Sequence, residues 1–134
     1  MRAMIVGGNT RQEAFARALE AEEIEVSRPP ERLAAPNGNE IEQVAASMVA
    51  FEEVLTGDPP DAVVLASASN VALGAVLVAT RLLIPVVTLE DDAYRESDDP
   101  MSEMNGRLIR QLADATLSGD AGTVATWLRE RVTA

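Results

Sequence analysis

Three short stretches of this chain carry the residue types from which a site could be built. The first is Gly7-Gly8-Asn9-Thr10-Arg11, where two glycines precede a helix start. Free backbone N–H groups and the positive end of a helix dipole would converge there, and Arg11 would add a charge opposite a phosphate. The stretch lacks the G-x-G-x-x-G spacing, and a tight turn, a capped helix and a solvated Arg account for the same residues. The second is Ser67-Ala68-Ser69-Asn70, with two hydroxyls and an amide at another helix start. Plain N-capping already explains Ser69 or Asn70. The third begins at Glu90 and holds seven acids: Glu90, Asp91, Asp92, Glu96, Asp98, Asp99 and Glu103. Hard cations take oxygen ligands, but this spacing fits no EF-hand loop, so a solvated acidic loop is expected and no metal site is assigned.

Stepping along the chain shows which elements would position these loops. Ala3 to Val6 is a short apolar run closed by glycines, the pattern of a buried strand. Thr10 with Glu13 has the spacing of a capping box, ahead of a helix whose inner face is Phe15, Ala18 and Leu19. Ile24 to Ser27 alternates as a second strand. Pro29 to Asn39 is a loop, and Asn39 with Glu42 opens a second helix. Its apolar residues are Ile41, Val44, Ala45, Met48, Phe51 and Leu55, and Gly57-Asp58-Pro59-Pro60 ends it. Ala62 to Leu65 is a third strand, followed by a helix from about Val71 to Leu82. Ile84 to Leu89 is a fourth strand with Pro85 near its start. Asp99 and Pro100 open a helix with Met101, Met104, Leu108 and Leu112 as its expected buried stripe. Ala115 to Leu117 is a fifth strand. Thr123 to Val132 is a last helix, with Val124, Trp127 and Leu128 inward.

The order is strand-helix repeated five times. That pattern predicts one α/β domain spanning residues 1–134: a three-layer, doubly wound, Rossmann-like sheet of about five parallel strands. In such sheets ligands bind at the carboxyl ends of the strands, beside the point where strand order reverses. All three polar stretches fall at that end.

Composition narrows the chemistry further. The 134 residues contain no His, no Cys and no Lys; all 11 basic residues are Arg. A Ser-His triad, a thiol nucleophile, a conventional zinc site, a lysine Schiff base and a Walker A lysine are therefore absent. Apolar residues make up 47% and aromatics 3%, so Val, Leu, Ile, Ala and Met must fill the core. The net charge of −11 argues against nucleic acid or an anionic membrane surface as partner. The longest apolar run, Val71 to Thr80, is too short to span a bilayer. No signal peptide is visible after Met1, so a cytoplasmic location is expected. A receiver-type signalling domain has a similar element order but needs acids after the first strand and a Lys after the fifth, and neither is present.

From Pro60 onward the sequence resembles the UDP-N-acetylglucosamine 2-epimerases. The residues that carry the resemblance are Pro60-Asp61-Ala62-Val63-Val64-Leu65, then Ile84-Pro85-Val86-Val87-Thr88-Leu89-Glu90, then Ser102-Glu103-Met104-Asn105-Gly106-Arg107-Leu108 and Leu112-Ala113-Asp114. Near the start, Thr10-Arg11-Gln12-Glu13-Ala14 is similar to the family's Gly-Thr-Arg-Pro-Glu-Ala. The resemblance implies the N-terminal half of a GT-B type fold, a UDP-sugar or phosphate ligand, and no bound cofactor. The ligand-binding candidates are Asn9, Thr10, Arg11, Ser67, Ser69 and Asn70 from the loops at the strand ends, with Asn105 and Arg107 from the stretch that carries the resemblance.

The departures bear on activity. The family's reaction eliminates UDP and adds it back with inversion at the sugar C2, using carboxylates and a His. Its Asp after the third strand falls on Ala68. A Glu that opens the later helix falls on Ser102, unless a one-residue shift gives the role to Glu103. Glu90 is the only catalytic carboxylate in register; otherwise it is a strand-end residue pairing with an Arg such as Arg107. One strand-helix unit is missing between the first helix and Pro60. The resemblance therefore implies an epimerase-like domain without catalysis of its own, serving as a binding or assembly module. The alternative is half of a split UDP-sugar epimerase or glycosyltransferase, completed by a partner chain that resembles the family's C-terminal domain. A homodimer through helix 71–82 is also expected. That helix has no obvious solvent face, Gly74, Ala75 and Ala79 are small, and the family dimerises through its N-terminal domains.

Overall fold

In the computed structural model the described residues are 1–7, 10–30, 38–90 and 100–132. Among them five parallel strands form one sheet in the order β2-β1-β3-β4-β5. The strands are β1 (Arg2–Val6), β2 (Glu25–Ser27), β3 (Ala62–Leu65), β4 (Val86–Leu89) and β5 (Ala115–Leu117). The helices between and after them are α1 (Thr10–Ala21), α2 (Glu40–Gly57), α3 (Asn70–Arg81), α4 (Pro100–Leu112) and α5 (Ala121–Val132). This is the expected doubly wound α/β fold.

The central strands are buried on both faces, which is why they read as unbroken apolar runs. On one face Met4, Val6, Val63, Leu65 and Val86 pack against α2, α3 and α4. On the other, Ala3, Ile5, Val64 and Val87 pack against α1 and α5. The alternation of these residues along each strand separates the two cores. Register is fixed at the amino end of β1, where Arg2 N donates to Asp61 Oδ2 at 2.7 Å and the Arg2 guanidinium holds Asp58 at 2.9 Å.

Helix starts follow local chemistry. Asn39 caps α2 with a full capping box: its Oδ1 accepts from Glu42 N, and Glu42 Oε1 accepts from Asn39 N. Ser69 caps α3 by accepting from Ala72 N at 3.1 Å. Asp120 caps α5 by accepting from both the N–H and the hydroxyl of Thr123, so α5 starts two residues before the Thr123 expected. Thr10 is the first residue of α1, and Glu13 pairs with Arg28 at 3.0 Å.

Three helix faces differ from the pattern expected from sequence. Ala18 is exposed, and Gln12 and Ala16 join Phe15 and Leu19 on the inner face of α1. On α2, Phe51 and Leu55 are buried, but Ile41 and Ala45 face solvent. On α4 the buried residues are Asn105, Gly106 and Ile109, while Met104, Leu108 and Leu112 are exposed. The difference on α4 has a physical source: the helix meets the β3–α3 loop at Ala68 through Asn105 and Gly106, and this orientation turns Ile109 into the core and Met104, Leu108 and Leu112 outward.

The apolar helix α3 is covered within the chain. It lies between α2 and α4, and Gly74, Ala75, Val76 and Ala79 are buried there. A Cβ on Gly74 would come within 2.3 Å of Ser47 Oγ on α2. Gly74, Ala75 and Ala79, expected to let a second chain approach, are thus buried within this one, Gly74 against α2.

Candidate functional site

The chain passes from β1 out to β2 and returns across β1 to β3, so strand order reverses between β1 and β3. At that point the two strands are pressed together. Ala66 N donates to Val6 O at 2.8 Å, extending the ladder by one rung. A Cβ on Gly7 would meet Ala66 Cβ at 3.1 Å, so the first glycine serves this close approach.

Beyond Ala66 the β3–α3 loop carries the polar groups. Ser67 is buried, and its Oγ lies 3.2 Å from Ser69 Oγ. Ser69 in turn caps α3, so the pair sits at the positive end of that helix. Asn70 is saturated by neighbours. Its Nδ2 donates to Glu40 Oε2 at 2.6 Å and to Gln43 Oε1 at 2.8 Å, and its Oδ1 accepts from Asn105 Nδ2 at 2.9 Å. Asn105 also donates to Ala68 O at 3.2 Å. Glu40, Asn70 and Asn105 thus join the amino-terminal ends of α2 and α3 to the middle of α4.

This network fixes how the Asn105 amide must lie. Both of its near partners, Ala68 O and Asn70 Oδ1, are acceptors, so the NH2 group must face them. The Asn105 Oδ1 is then directed away, buried and without a hydrogen-bond partner among the described residues. A buried acceptor in that state costs free energy, on the order of 1–3 kcal/mol.

The sequence-derived candidates separate into groups. Ser67, Ser69, Asn70 and Asn105 come together at the switch point. Glu90 lies at the end of β4 with its backbone N–H on Leu117 O at 2.9 Å. Its side chain is exposed and makes no ion pair with Arg107 among the described residues. Arg107 is exposed two residues past Asn105, roughly 200° further round the helix, and so points elsewhere. Glu103 is exposed in the first turn of α4. Thr10 and Arg11 open α1 at the carboxyl end of β1. Asn9 and the acidic run 91–99 lie outside the described residues, and among the described ones no cluster of three or more acids is placed to hold a metal ion. Glu40 and Gln43 were not foreseen. They stand three apart on one side of α2, but nothing in sequence says that this side meets Asn70. A separate cleft of about 340 Å³ opens at the other end of the sheet, between Ile84, Pro85, Leu112 and Arg131, away from all these candidates.

No family model matches the chain, and no curated protein sequence matches it. Solved structures do. The UDP-GlcNAc 2-epimerase of Methanocaldococcus jannaschii superposes with a TM-score of 0.70 at 24% identity, over 95% of this chain and 42% of that one. The chain has the fold of a UDP-GlcNAc 2-epimerase domain. A second structure of the archaeal epimerase, in complex with UDP-GlcNAc and UDP, matches over 100% of this chain and 44% of that one, with a TM-score of 0.69 at 23% identity. The S. aureus MnaA–UDP structure matches at a TM-score of 0.67 and 18% identity, over 98% of this chain and 41% of that one. The epimerase-like chain thus spans about two fifths of the length of these solved epimerases. Among its described residues no helix is long and apolar enough to cross a membrane.

Proposed function

We propose that this epimerase-like chain is a binding module for a UDP-sugar or phosphate-bearing ligand and is not an epimerase by itself. The ligand enters the crevice between the ends of β1 and β3. One observation supports the reading: Ser67, Ser69 and the capped start of α3 follow directly on Ala66, which packs against Gly7 where strand order reverses. One of the matched structures, with the same fold, holds UDP-GlcNAc and UDP. Asn9, Thr10 and Arg11 complete the crevice in this proposal, with Arg11 opposite the phosphate. A cytoplasmic location is part of it.

Catalysis is withheld on chemical grounds. Ala68 and Ser102 offer no carboxylate, the chain has no His, and Glu90 is exposed. Positioned acid–base groups are worth about 10² to 10⁴ in rate, and a single carboxylate in an open crevice neither pairs with a second group nor excludes water. The alternative reading is half of a split UDP-sugar epimerase or glycosyltransferase, completed by a partner chain.

Thermal-shift measurements with UDP, UDP-GlcNAc and inorganic phosphate test the binding reading. A ligand at about one hundred times its Kd adds about 2.7 kcal/mol of apparent stability. UDP is expected to raise the Tm, and Arg11→Ala to weaken that binding by about 1–3 kcal/mol. Unchanged melting with all three ligands rules the module reading out. A shift that appears only after a partner chain is added selects the split enzyme.

A further inference from the structure

Helices α1 and α3 end in the same way. Past each helix one residue takes a left-handed backbone, Glu23 at φ 65° and Leu83 at φ 61°. Each turn is closed by the same two hydrogen bonds. Glu23 N donates to Glu20 O at 2.9 Å and Ile24 N to Leu19 O at 3.2 Å; Leu83 N donates to Thr80 O at 3.2 Å and Ile84 N to Ala79 O at 3.0 Å. This is the Schellman arrangement, and its left-handed position favours Gly because a Cβ there crowds the following carbonyl. After α1 the position carries an exposed glutamate, whose charge water accommodates. After α3 it carries a leucine that is 89% exposed. Leu83 thus departs from local preference twice, in backbone and in exposure, and at that exposure packing inside the domain accounts for neither.

Leu83 forms one lip of the cleft of about 340 Å³ at the end of the sheet opposite the switch point. Ile84 and Pro85, leading into β4, and Leu112, at the end of α4, give it further apolar walls. Its volume lies near the lower end of the range for small-molecule sites, roughly 300 to 1,000 Å³. The polar side chains around it are mostly engaged. Thr80 Oγ1 donates to Val76 O at 2.8 Å. Asp114 uses both carboxylate oxygens, Oδ2 accepting from Val86 N at 2.7 Å and Oδ1 from Arg131 Nη2 at 3.3 Å. Arg131 is the exception. A guanidinium has five N–H donors, and among the described residues this one uses a single donor, on Asp114. The Trp127 ring lies 5.9 Å from the Arg131 Cζ and braces the group at the cleft.

We propose that this cleft binds a small aliphatic carboxylic acid, its tail on Leu83, Ile84, Pro85 and Leu112 and its carboxylate on Arg131. The class follows from what the cleft leaves unused. Its walls are apolar, and its uncommitted side-chain donors are cationic, so the complement is an apolar body that ends in an anion. A bound tail also covers Leu83, the residue whose exposure and left-handed backbone the fold itself does not require. The net charge of −11 does not prevent this, because it is screened over about 8 Å at physiological salt. The site is independent of the UDP crevice, since the two lie at opposite ends of the strands. A chain that binds UDP but no aliphatic acid defeats only this proposal, and the reverse outcome defeats only the other.

The test is amide chemical-shift titration of the full chain with three probes that share one tail: octanoate, octan-1-ol and octylammonium. Octanoate should give saturable shifts at Leu83, Ile84, Leu112, Asp114 and Arg131, and should bind at least tenfold more tightly than either other probe. Arg131→Gln should remove that preference and leave octanoate no tighter than octan-1-ol. Leu83→Gly should weaken octanoate about fivefold or more and at the same time raise the Tm, because Gly suits the left-handed position. A residue with a purely structural role would not move the two readouts in opposite directions. Both side chains are exposed, so neither variant threatens folding. No saturable shift at these residues, octylammonium or octan-1-ol binding as tightly as octanoate, or a Leu83→Gly chain that binds octanoate like wild type would each overturn the proposal.

Discussion

Ser47 on α2 and Gly74 on α3 are matched so closely that a Cβ on Gly74 would lie 2.3 Å from Ser47 Oγ and 2.6 Å from Ser47 Cβ. The same hydroxyl donates to Val71 O at 2.9 Å, tying α2 to the first turn of α3. Gly74→Ala should therefore destabilise the fold by about 1–3 kcal/mol through overpacking, although Ala is the better helix former. Ser47→Ala should cost about 1 kcal/mol for its lost hydrogen bond. Urea unfolding of both variants measures this. A Gly74→Ala chain as stable as wild type would show that the two helices do not approach so closely.

Asn105 supplies a prediction with a pH signature. Its amide NH2 faces two acceptors, so Asn105→Asp puts a carboxylate where donors are needed. Burial and the facing oxygens should hold the new carboxyl above the ordinary Asp range. A raised folded-state pKa means that the variant is most stable below the unfolded pKa and loses stability as pH rises through the folded one. Asn105→Asp should thus be closer to wild type at acidic pH than at neutral pH. A penalty independent of pH would place Asn105 outside the network.

Asp120 titrates in the opposite sense. Hydrogen bonds from the Thr123 side chain and then its backbone N–H hold this carboxyl below its ordinary range. Its contribution is present above the unfolded pKa and is lost as pH falls through the lowered folded value. Asp120→Ala should lower the Tm at neutral pH, and the difference from wild type should shrink in acid. An equal difference at both pH values would mean that capping is not its role.

Catalytic silence is checked by incubating the chain with UDP-GlcNAc in deuterated water and following exchange at the sugar C2 by NMR. No protein-dependent exchange is expected. Exchange above background that Glu90→Gln abolishes would show that this single carboxylate suffices.

Much of the fold was legible because the central strands are buried on both faces. Ala62 to Leu65 and Ala115 to Leu117 have the bounds expected from their apolar runs, and the Asn39 and Ser69 caps mark their helices by side-chain chemistry alone. What could not be read was which side of a helix meets the core. Met104, Leu108 and Leu112 form a regular apolar stripe, yet α4 turns Asn105, Gly106 and Ile109 inward, because the polar β3–α3 loop requires an amide there. The uncharged run 71–80 of α3 is buried largely within the chain, since Ser47 and Gly74 let α2 approach closely. Ser67, Ser69 and Asn70 were identifiable from their place before a helix, but not the engagement of Asn70 by Glu40 and Gln43. Those contacts join residues far apart in sequence.

In the proposed binding mode a nucleotide-bearing ligand sits between the ends of β1 and β3. Amide chemical-shift mapping with UDP tests it most directly. Saturable shifts confined to Gly7, residues 10–12, residues 67–72 and Asn105 are expected, and their loss with Arg11→Ala. Saturable shifts centred instead on Ile84, Leu112 and Arg131 at the opposite end of the sheet, or none at all, would contradict it.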